Sequence, residues 1–156
     1  MHDNNFIHRD CKPENFLIGS GKKSNIVYMI DYGLSKRYRC PKTGQHIEHK
    51  KRMGVTGTPR YCSLNAQKYM EQSRRDDLES IGNIAIYFSK RGMLPWMTMD
   101  EDKVSSKKLL KLKESTTLED LCDGLFPCFL EYMVYCRELK FEEKPNYNYL
   151  RELFDQ

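Results

Sequence analysis

Two short motifs near the start of the sequence bring carboxylates, amides and cations together at close spacing. The first is His8-Arg9-Asp10-Cys11-Lys12-Pro13-Glu14-Asn15, and the second is Asp31-Tyr32-Gly33. Transfer of a phosphoryl group to a hydroxyl needs little covalent help from a protein, so positioning and charge neutralisation supply most of the catalysis. It uses a carboxylate that accepts the hydroxyl proton, a cation beside the moving group, and hard oxygen ligands for Mg²⁺. The two motifs contain all of these groups.

The residues between the motifs must position them. Phe16–Ile18 and residues 26–30 have the apolar, β-branched and aromatic composition of strands, and the glycine- and serine-containing stretch 19–25 is typical of a turn. We therefore expect a β-hairpin. Such a hairpin would return Asp31 to the side of Asn15, where both side chains can reach one metal ion.

In this order and spacing, the motifs resemble the catalytic loop and the metal-binding loop of protein kinases. The resemblance implies that Asp10 is the catalytic base and that Lys12 is the cation beside the transferring phosphoryl group. It also implies that Asn15 and Asp31 bind the Mg²⁺ that accompanies ATP. Either motif alone is consistent with a charged helix end or a turn, but both together, with a hairpin between them, argue against coincidence.

The rest of the chain is similar to the casein kinase 1 family. Ser63-Leu64-Asn65 ends the activation segment, where most kinases carry Ala-Pro-Glu and casein kinase 1 proteins carry Ser-x-Asn. The closing stretch looks most like that of the α-type members. The similarity runs through essentially all 156 residues, but it maps to the C-terminal lobe of a kinase domain. The segments that carry it are 56–65, 71–80, 94–96, 135–145, 147, 149–151 and 153–154.

This resemblance implies a mainly α fold with a small β-hairpin, in which residues 1–156 form a partial kinase domain and the N-terminal lobe is absent. Only seven residues precede His8, and they contain no Gly-x-Gly-x-x-Gly motif and no ATP-gripping lysine. Because those parts cradle ATP, we expect the isolated chain to be inactive. We also expect the apolar face around Ile81 and Phe88 to lack the helix that covers it in kinases, leaving a patch prone to aggregation or binding.

Positive charge is concentrated in residues 31–60. This segment holds eight Lys and Arg side chains against two carboxylates, a net +6, whereas the whole chain carries +4. A charge run is commonly a solvated loop, but the resemblance makes this segment the activation segment, where protein substrates dock. We therefore predict acidic or phosphorylated protein substrates, with Arg60 binding an anion at a position where the family has such an arginine. Nucleic acid is the weaker alternative, because no aromatic residues are interleaved with the basic run.

Apolar periodicity predicts the helices that follow. A buried helix is expected over residues 75–90, and the resemblance assigns its Asp77 to hydrogen bonds with the catalytic-loop backbone, although an ordinary helix-start charge would also fit. Residues 97–113 predict an amphipathic surface helix with its lysines in solvent. Thr116 and Glu119 resemble a capping box for the next helix. The apolar faces of the last helices are Phe126, Leu130, Met133, Val134, Tyr147, Leu150, Leu153 and Phe154.

Composition excludes several other classes of protein. Hydrophobic residues make up 39% of the chain and form no run long enough to span a bilayer, so we expect no membrane association. The first five residues lack the basic and apolar regions of a signal peptide. The six cysteines form no Cys-x-x-Cys pair and have no histidine at zinc spacing. They are interpreted as reduced thiols of a cytoplasmic or nuclear protein.

Three residues depart from the family pattern, and one of them, Pro59, stiffens the turn that would face the substrate. Tyr32 replaces a phenylalanine and adds a hydroxyl that needs a hydrogen-bond partner. Tyr69 stands where the family has a glycine.

Three functions remain in view. The sequence favours a serine/threonine kinase of casein kinase 1 type, whose N-terminal lobe would lie upstream, with ATP and Mg²⁺ as cofactors and Thr58 hydrogen-bonding beside Asp10 and Lys12. The main alternative is a catalytically dead module that holds acidic or phosphorylated partners through the basic segment. A decaying gene product is the third, and the retention of Asp10, Lys12, Asn15 and Asp31 argues against it.

Overall fold

The structure, a computed structural model, describes residues 1–97 and 105–155. Within these residues there are four short strands and six α-helices. The strands are β1 (Phe6–Ile7), β2 (Phe16–Ile18), β3 (Val27–Met29) and β4 (Lys36–Arg37). The helices are α1 (Leu64–Gln67), α2 (Arg74–Ser89), α3 (Ser106–Ser115), α4 (Leu118–Cys122), α5 (Pro127–Glu138) and α6 (Tyr147–Glu152). The fold is mainly helical with two small antiparallel sheets, as in the C-terminal lobe of a kinase.

The predicted hairpin is present. β2 pairs antiparallel with β3, with Phe16 opposite Met29. One residue further on, the Ile30 N–H donates to the Asn15 carbonyl at 3.0 Å, which extends the pairing past the end of the ladder. Asp31 therefore follows directly after the residue that pairs with Asn15.

A second pair of strands closes the same region. β1 pairs antiparallel with β4, with Phe6 opposite Arg37, so the chain just before the first motif is held against the chain just after the second. The Tyr38 N–H continues this pairing by donating to the Asn5 carbonyl at 2.9 Å. Both motifs are thus fixed by strands on either side.

Helix α2 is the centre of the lobe. It runs from Arg74 to Ser89, within one residue of the helix predicted over 75–90 at each end. Its Gly82 lies so close to α5 that an added Cβ would stand 2.3 Å from the Met133 sulfur. The core on this side is built from side chains with at most 8% exposure, including Leu78, Ile84, Ile86, Leu121, Met133, Cys136 and Leu150.

Three details of the predicted helices are wrong. Lys113 is 2% exposed instead of lying in solvent, because its ammonium donates to buried backbone carbonyls. The next helix is capped by Thr117, which accepts from the Asp120 N–H, since the Thr116 hydroxyl is already bound to Leu112 at the end of α3. Phe126 is 79% exposed because it precedes α5 and lies outside its helical repeat. Lys103 and Val104, which belong to the helix predicted over residues 97–113, lie outside the described residues.

Part of the apolar face of α2 is open. Phe88 is 62% exposed, and Ile81 lines an open cavity of about 270 Å³ together with Cys11, Met29 and Leu78. The sequence predicted an uncovered face at Ile81 and Phe88.

Within residues 1–97 and 105–155, no helix has the length and apolar character needed to cross a membrane. All six cysteines are free thiols.

Candidate active site

The carboxylate of Asp10 is the centre of a compact polar cluster. Its Oδ1 accepts from both the backbone N–H and the hydroxyl of Thr58, at 2.8 and 2.7 Å. Its Oδ2 lies 3.2 Å from the Lys12 ammonium. The Asn15 amide nitrogen donates to the Asp10 carbonyl at 2.9 Å and lies 3.5 Å from Oδ2. The structure thus brings together Asp10, Lys12, Asn15 and Thr58, residues separated by up to 48 positions.

These contacts stabilise the ionised form of Asp10. Burial acts to raise its pKa, but the Thr58 hydroxyl and the Lys12 ammonium outweigh burial and hold the pKa below its ordinary value. The carboxylate is buried, with one oxygen bonded to Thr58 and the other beside Lys12. In a loose phosphoryl-transfer transition state, a carboxylate of this kind acts mainly by orienting the attacking hydroxyl.

Asp77 at the start of α2 holds the loop that carries Asp10. Its Oδ2 accepts from the His8 N–H at 2.7 Å, and its Oδ1 accepts from the Arg9 N–H at 2.8 Å. This is the role that the sequence analysis assigned to Asp77. Arg9 adopts a left-handed φ of 68°, a conformation that costs energy for a residue with a Cβ and is kept only where surrounding contacts enforce it.

Asp31 is placed near the cluster by backbone contacts. The His8 imidazole, through Nε2, hydrogen-bonds the Ile30 carbonyl at 3.0 Å. Sequence reasoning missed this link because it joins residues 22 positions apart in the chain. Asp31 itself is exposed and has a left-handed φ of 58°, and its Oδ1 accepts from the Gly33 N–H at 3.2 Å. The hydroxyl of Tyr32 finds its partner in the Met29 carbonyl at 2.7 Å.

The donor set at Asn15 and Asp31 fits Mg²⁺. Because the Asn15 amide nitrogen is committed to the Asp10 carbonyl, the oxygen is the atom that remains for a ligand role. Asp31 adds a carboxylate in an exposed position. Mg²⁺ in phosphate-transfer sites takes one or two protein oxygens and completes its shell with water and substrate phosphate.

Arg60 lies two residues after Thr58, in the middle of the turn that Thr58 begins. Its guanidinium carbon lies over the Tyr61 ring, 5.8 Å from the ring centre, and its carbonyl accepts from the Trp96 indole at 2.8 Å.

A second basic cluster was not foreseen. Lys36 and Arg52 both bind one oxygen of the buried Glu71 carboxylate, at 2.9 and 2.7 Å. Burial and the nearby charge of Arg52 lower the pKa of Arg9, whose Nε donates to the Leu34 carbonyl at 2.7 Å. Two cations bind one carboxylate, so the Lys36–Glu71–Arg52 cluster keeps a net positive charge. The sequence signal was only the high density of basic residues in 31–60.

The backbone conformation at Tyr69 shows why a glycine would suit this position. Tyr69 adopts a φ of 63°, in the left-handed region where glycine is free of strain. Its carbonyl accepts from the Arg52 N–H at 2.6 Å, so the strained residue is tied to the basic cluster.

The arrangement defines a class of protein. A helical lobe built on α2 carries an anchored catalytic loop, a hairpin and an activation segment in the order found in protein kinases. The sequence pattern of the protein kinase domain matches residues 1–139. The chain belongs to the protein kinase family.

A buried carboxylate behind the site predicts a pH dependence of stability. Burial raises the pKa of Asp76 to about 6, against opposing hydrogen bonds from the Ser63 hydroxyl and the Ser73 N–H. The folded state then binds more protons than the unfolded state between pH 4 and pH 6, so Asp76 makes the free energy of unfolding fall as pH rises through this window. Chemical unfolding at several pH values should show that Asp76→Asn removes this slope.

The control is Asp123→Asn, which changes an exposed carboxyl in a loop and should keep the slope. The depressed pKa values of Asp10 and Glu71 act in the opposite sense and at lower pH, where their protonation destabilises the fold. An unchanged slope in Asp76→Asn would show that Asp76 does not titrate in this window.

Proposed function

We propose that residues 1–156 form the phosphoryl-transfer half of a serine/threonine kinase of casein kinase 1 type. The observation that carries the proposal is the Asp10 carboxylate, held ionised between Thr58 and Lys12 on a loop anchored to α2. This is the geometry expected where a carboxylate must orient a hydroxyl and a cation must neutralise developing phosphate charge.

Each residue has a separate task in this reaction. Asp10 orients the substrate Ser or Thr hydroxyl and accepts its proton. Lys12, 3.2 Å from Asp10 and partly exposed, stabilises charge on the transferring γ-phosphoryl group of ATP. Thr58 keeps Asp10 in one rotamer through two hydrogen bonds, so the substrate-binding segment and the catalytic loop move as one unit.

Asn15 and Asp31 would hold Mg²⁺ in this scheme. The bound ion supplies charge neutralisation of the ATP phosphates. The Asn15 side chain is oriented by its bond to the Asp10 carbonyl, and Asp31 is oriented by the Gly33 N–H. We further propose that an N-terminal lobe must supply the rest of the ATP site and that residues 1–156 alone do not turn over ATP.

Acidic or phosphorylated proteins are the proposed substrates. Support comes from the net +6 of residues 31–60 and from the pair of Lys36 and Arg52, whose combined charge exceeds that of Glu71. Guanidinium groups bind phosphate with paired, charge-assisted hydrogen bonds. Arg60 is proposed as a further anion-binding residue, and the cytoplasm or nucleus as the location of the protein.

The test is a transfer assay on this chain joined behind the N-terminal lobe of a casein kinase 1 protein. Peptides with an acidic or phosphorylated residue before a Ser, Thr or Tyr acceptor are compared with neutral versions. Mg²⁺-dependent transfer to Ser and Thr, faster with the charged peptides and slowed by salt, is expected. Salt-sensitive binding of phosphopeptide without any transfer would favour the binding-module alternative, and transfer to Tyr alone would overturn the serine/threonine assignment.

A further inference from the structure

The turn that begins at Thr58 is held in place by side chains that donate hydrogen bonds to its backbone carbonyl groups. We call residues 58–62 the substrate turn, because its first residue binds Asp10. It has no regular secondary structure beyond its own turns, yet side chains from three distant elements donate to its carbonyls. The donors are Lys113 to Pro59 and Cys62, Trp96 to Arg60, and Asn83 to Tyr61, at distances of 2.6 to 3.0 Å.

Lys113 differs from the other donors because it is a buried charge. Its side chain comes from α3 and is 2% exposed. The ammonium donates to the Pro59 carbonyl at 2.6 Å and to the Cys62 carbonyl at 2.8 Å, and it lies 5.2 Å from the centre of the Trp96 ring. Two carbonyls and the Cys62 sulfur, which lies 3.7 Å from the nitrogen, account for the three N–H groups of the ammonium, and the Trp96 ring adds a cation–π contact.

An apolar side chain would fill this space at lower cost. Burying an ammonium carries a large desolvation penalty, and here burial lowers the pKa of Lys113. The charged neighbours Glu79 and Arg137 bind each other at 3.1 Å and so largely offset one another. The ammonium therefore has a specific structural role, because it links the Pro59 and Cys62 carbonyls of a turn that lies outside any helix or strand.

We infer that Lys113 is a positioning residue, whose ammonium fixes the substrate turn so that Thr58 remains bonded to the Asp10 carboxylate. The Tyr61 and Cys62 N–H groups both donate to the Thr58 carbonyl, at 3.1 and 3.0 Å, and the ammonium adds a link between Pro59 and Cys62 within the same turn. The consequence for catalysis rests on the proposed kinase function. The anchoring of the turn does not.

Hydrogen exchange of the 156-residue chain tests the anchoring without any activity. In Lys113→Met, which keeps the length of the side chain but removes its donors, exchange at the Thr58, Tyr61 and Cys62 amides should accelerate at least about tenfold. Amides in the middle of α2 should keep their protection. The matched control is Lys111→Met, an exposed lysine on the same helix, which should leave the turn unchanged. Unchanged protection at Thr58 in Lys113→Met would overturn the inference.

A measurement on the unaltered chain covers the case in which Lys113→Met fails to fold. The Lys113 side-chain nitrogen should give an NMR signal whose N–H protons exchange slowly, because they are bonded inside the protein. A signal that exchanges as fast as that of an exposed lysine would contradict the proposed contacts.

Kinetics then separate positioning from structural support. In the chain joined to an N-terminal lobe, Lys113→Met should lower kcat and raise the KM for the peptide, so that kcat/KM for the peptide falls about tenfold while the KM for ATP stays unchanged. Lys113→Arg should restore part of this loss. An equal loss with Arg and Met, or a shift in the KM for ATP alone, would contradict a positioning role. If the joined wild-type chain transfers no phosphate, the proposed function fails while the exchange result still decides the anchoring.

Discussion

Replacing Asp10 with Asn is expected to reduce phosphoryl transfer by about 10²–10⁴-fold, the range typical for loss of a general base. The substitution changes one oxygen to an amide nitrogen and removes the negative charge. The asparagine oxygen can still accept from Thr58, so the loop should keep its position. What is lost is the group proposed to accept the substrate proton, together with the counter-charge of Lys12. Initial rates measured with saturating ATP and peptide in the chain joined to an N-terminal lobe give this value.

Glu14→Gln is the matched control for this prediction. It makes the same chemical change four residues away, on an exposed side chain of the same loop, and should leave the rate nearly unchanged. The unfolding midpoint of both variants should stay close to that of the wild type, which ties any loss of rate to chemistry. Full activity of Asp10→Asn would rule out Asp10 as the base.

Replacing Gly57 with Ala is expected to destabilise the fold by about 2–5 kcal/mol and to detach the activation segment from the catalytic loop. Gly57 has a φ of 96°, which is strained for any residue with a Cβ. An added Cβ would also lie 2.2 Å from the Arg9 carbonyl oxygen, on a stretch of backbone fixed by Asp77. Neither side can move without breaking the Thr58–Asp10 bonds that follow in the chain. Chemical unfolding reports the loss of stability, and exchange of the Thr58 amide reports the detachment.

Gly54→Ala provides the comparison. Gly54 lies three residues upstream in the same segment, and no atom approaches the place where its Cβ would be built. Its replacement should change stability by less than about 0.5 kcal/mol. Equal effects at the two glycines would mean that the close approach of Gly57 to Arg9 does not control the docking of the segment.

Much of the architecture could be predicted from local pattern. The hairpin of β2 and β3 follows from two apolar runs around a glycine-containing turn, and α2 follows from apolar residues at helical spacing. These signals are readable because hydrogen bonds in a hairpin or helix join residues close in the sequence. The meeting of Asp10 with Thr58 was predicted only through the family resemblance, since 48 residues separate them.

Other features depended on which distant groups meet. The predicted surface lysine at 113 became buried because α3 passes behind two carbonyls 51 and 54 residues earlier in the chain. The Lys36–Glu71–Arg52 cluster formed because three separate segments converge on one buried carboxylate.

By itself, the sequence determined the residue types and spacing of the two motifs, the hairpin between them and the helix behind them. The tertiary structure alone decided the surroundings of each group, including the lowered pKa of Asp10, the raised pKa of Asp76 and the burial of Lys113. The physical reason is that local pattern specifies backbone hydrogen bonds, whereas desolvation and charge depend on atoms that only the folded chain brings within a few ångströms.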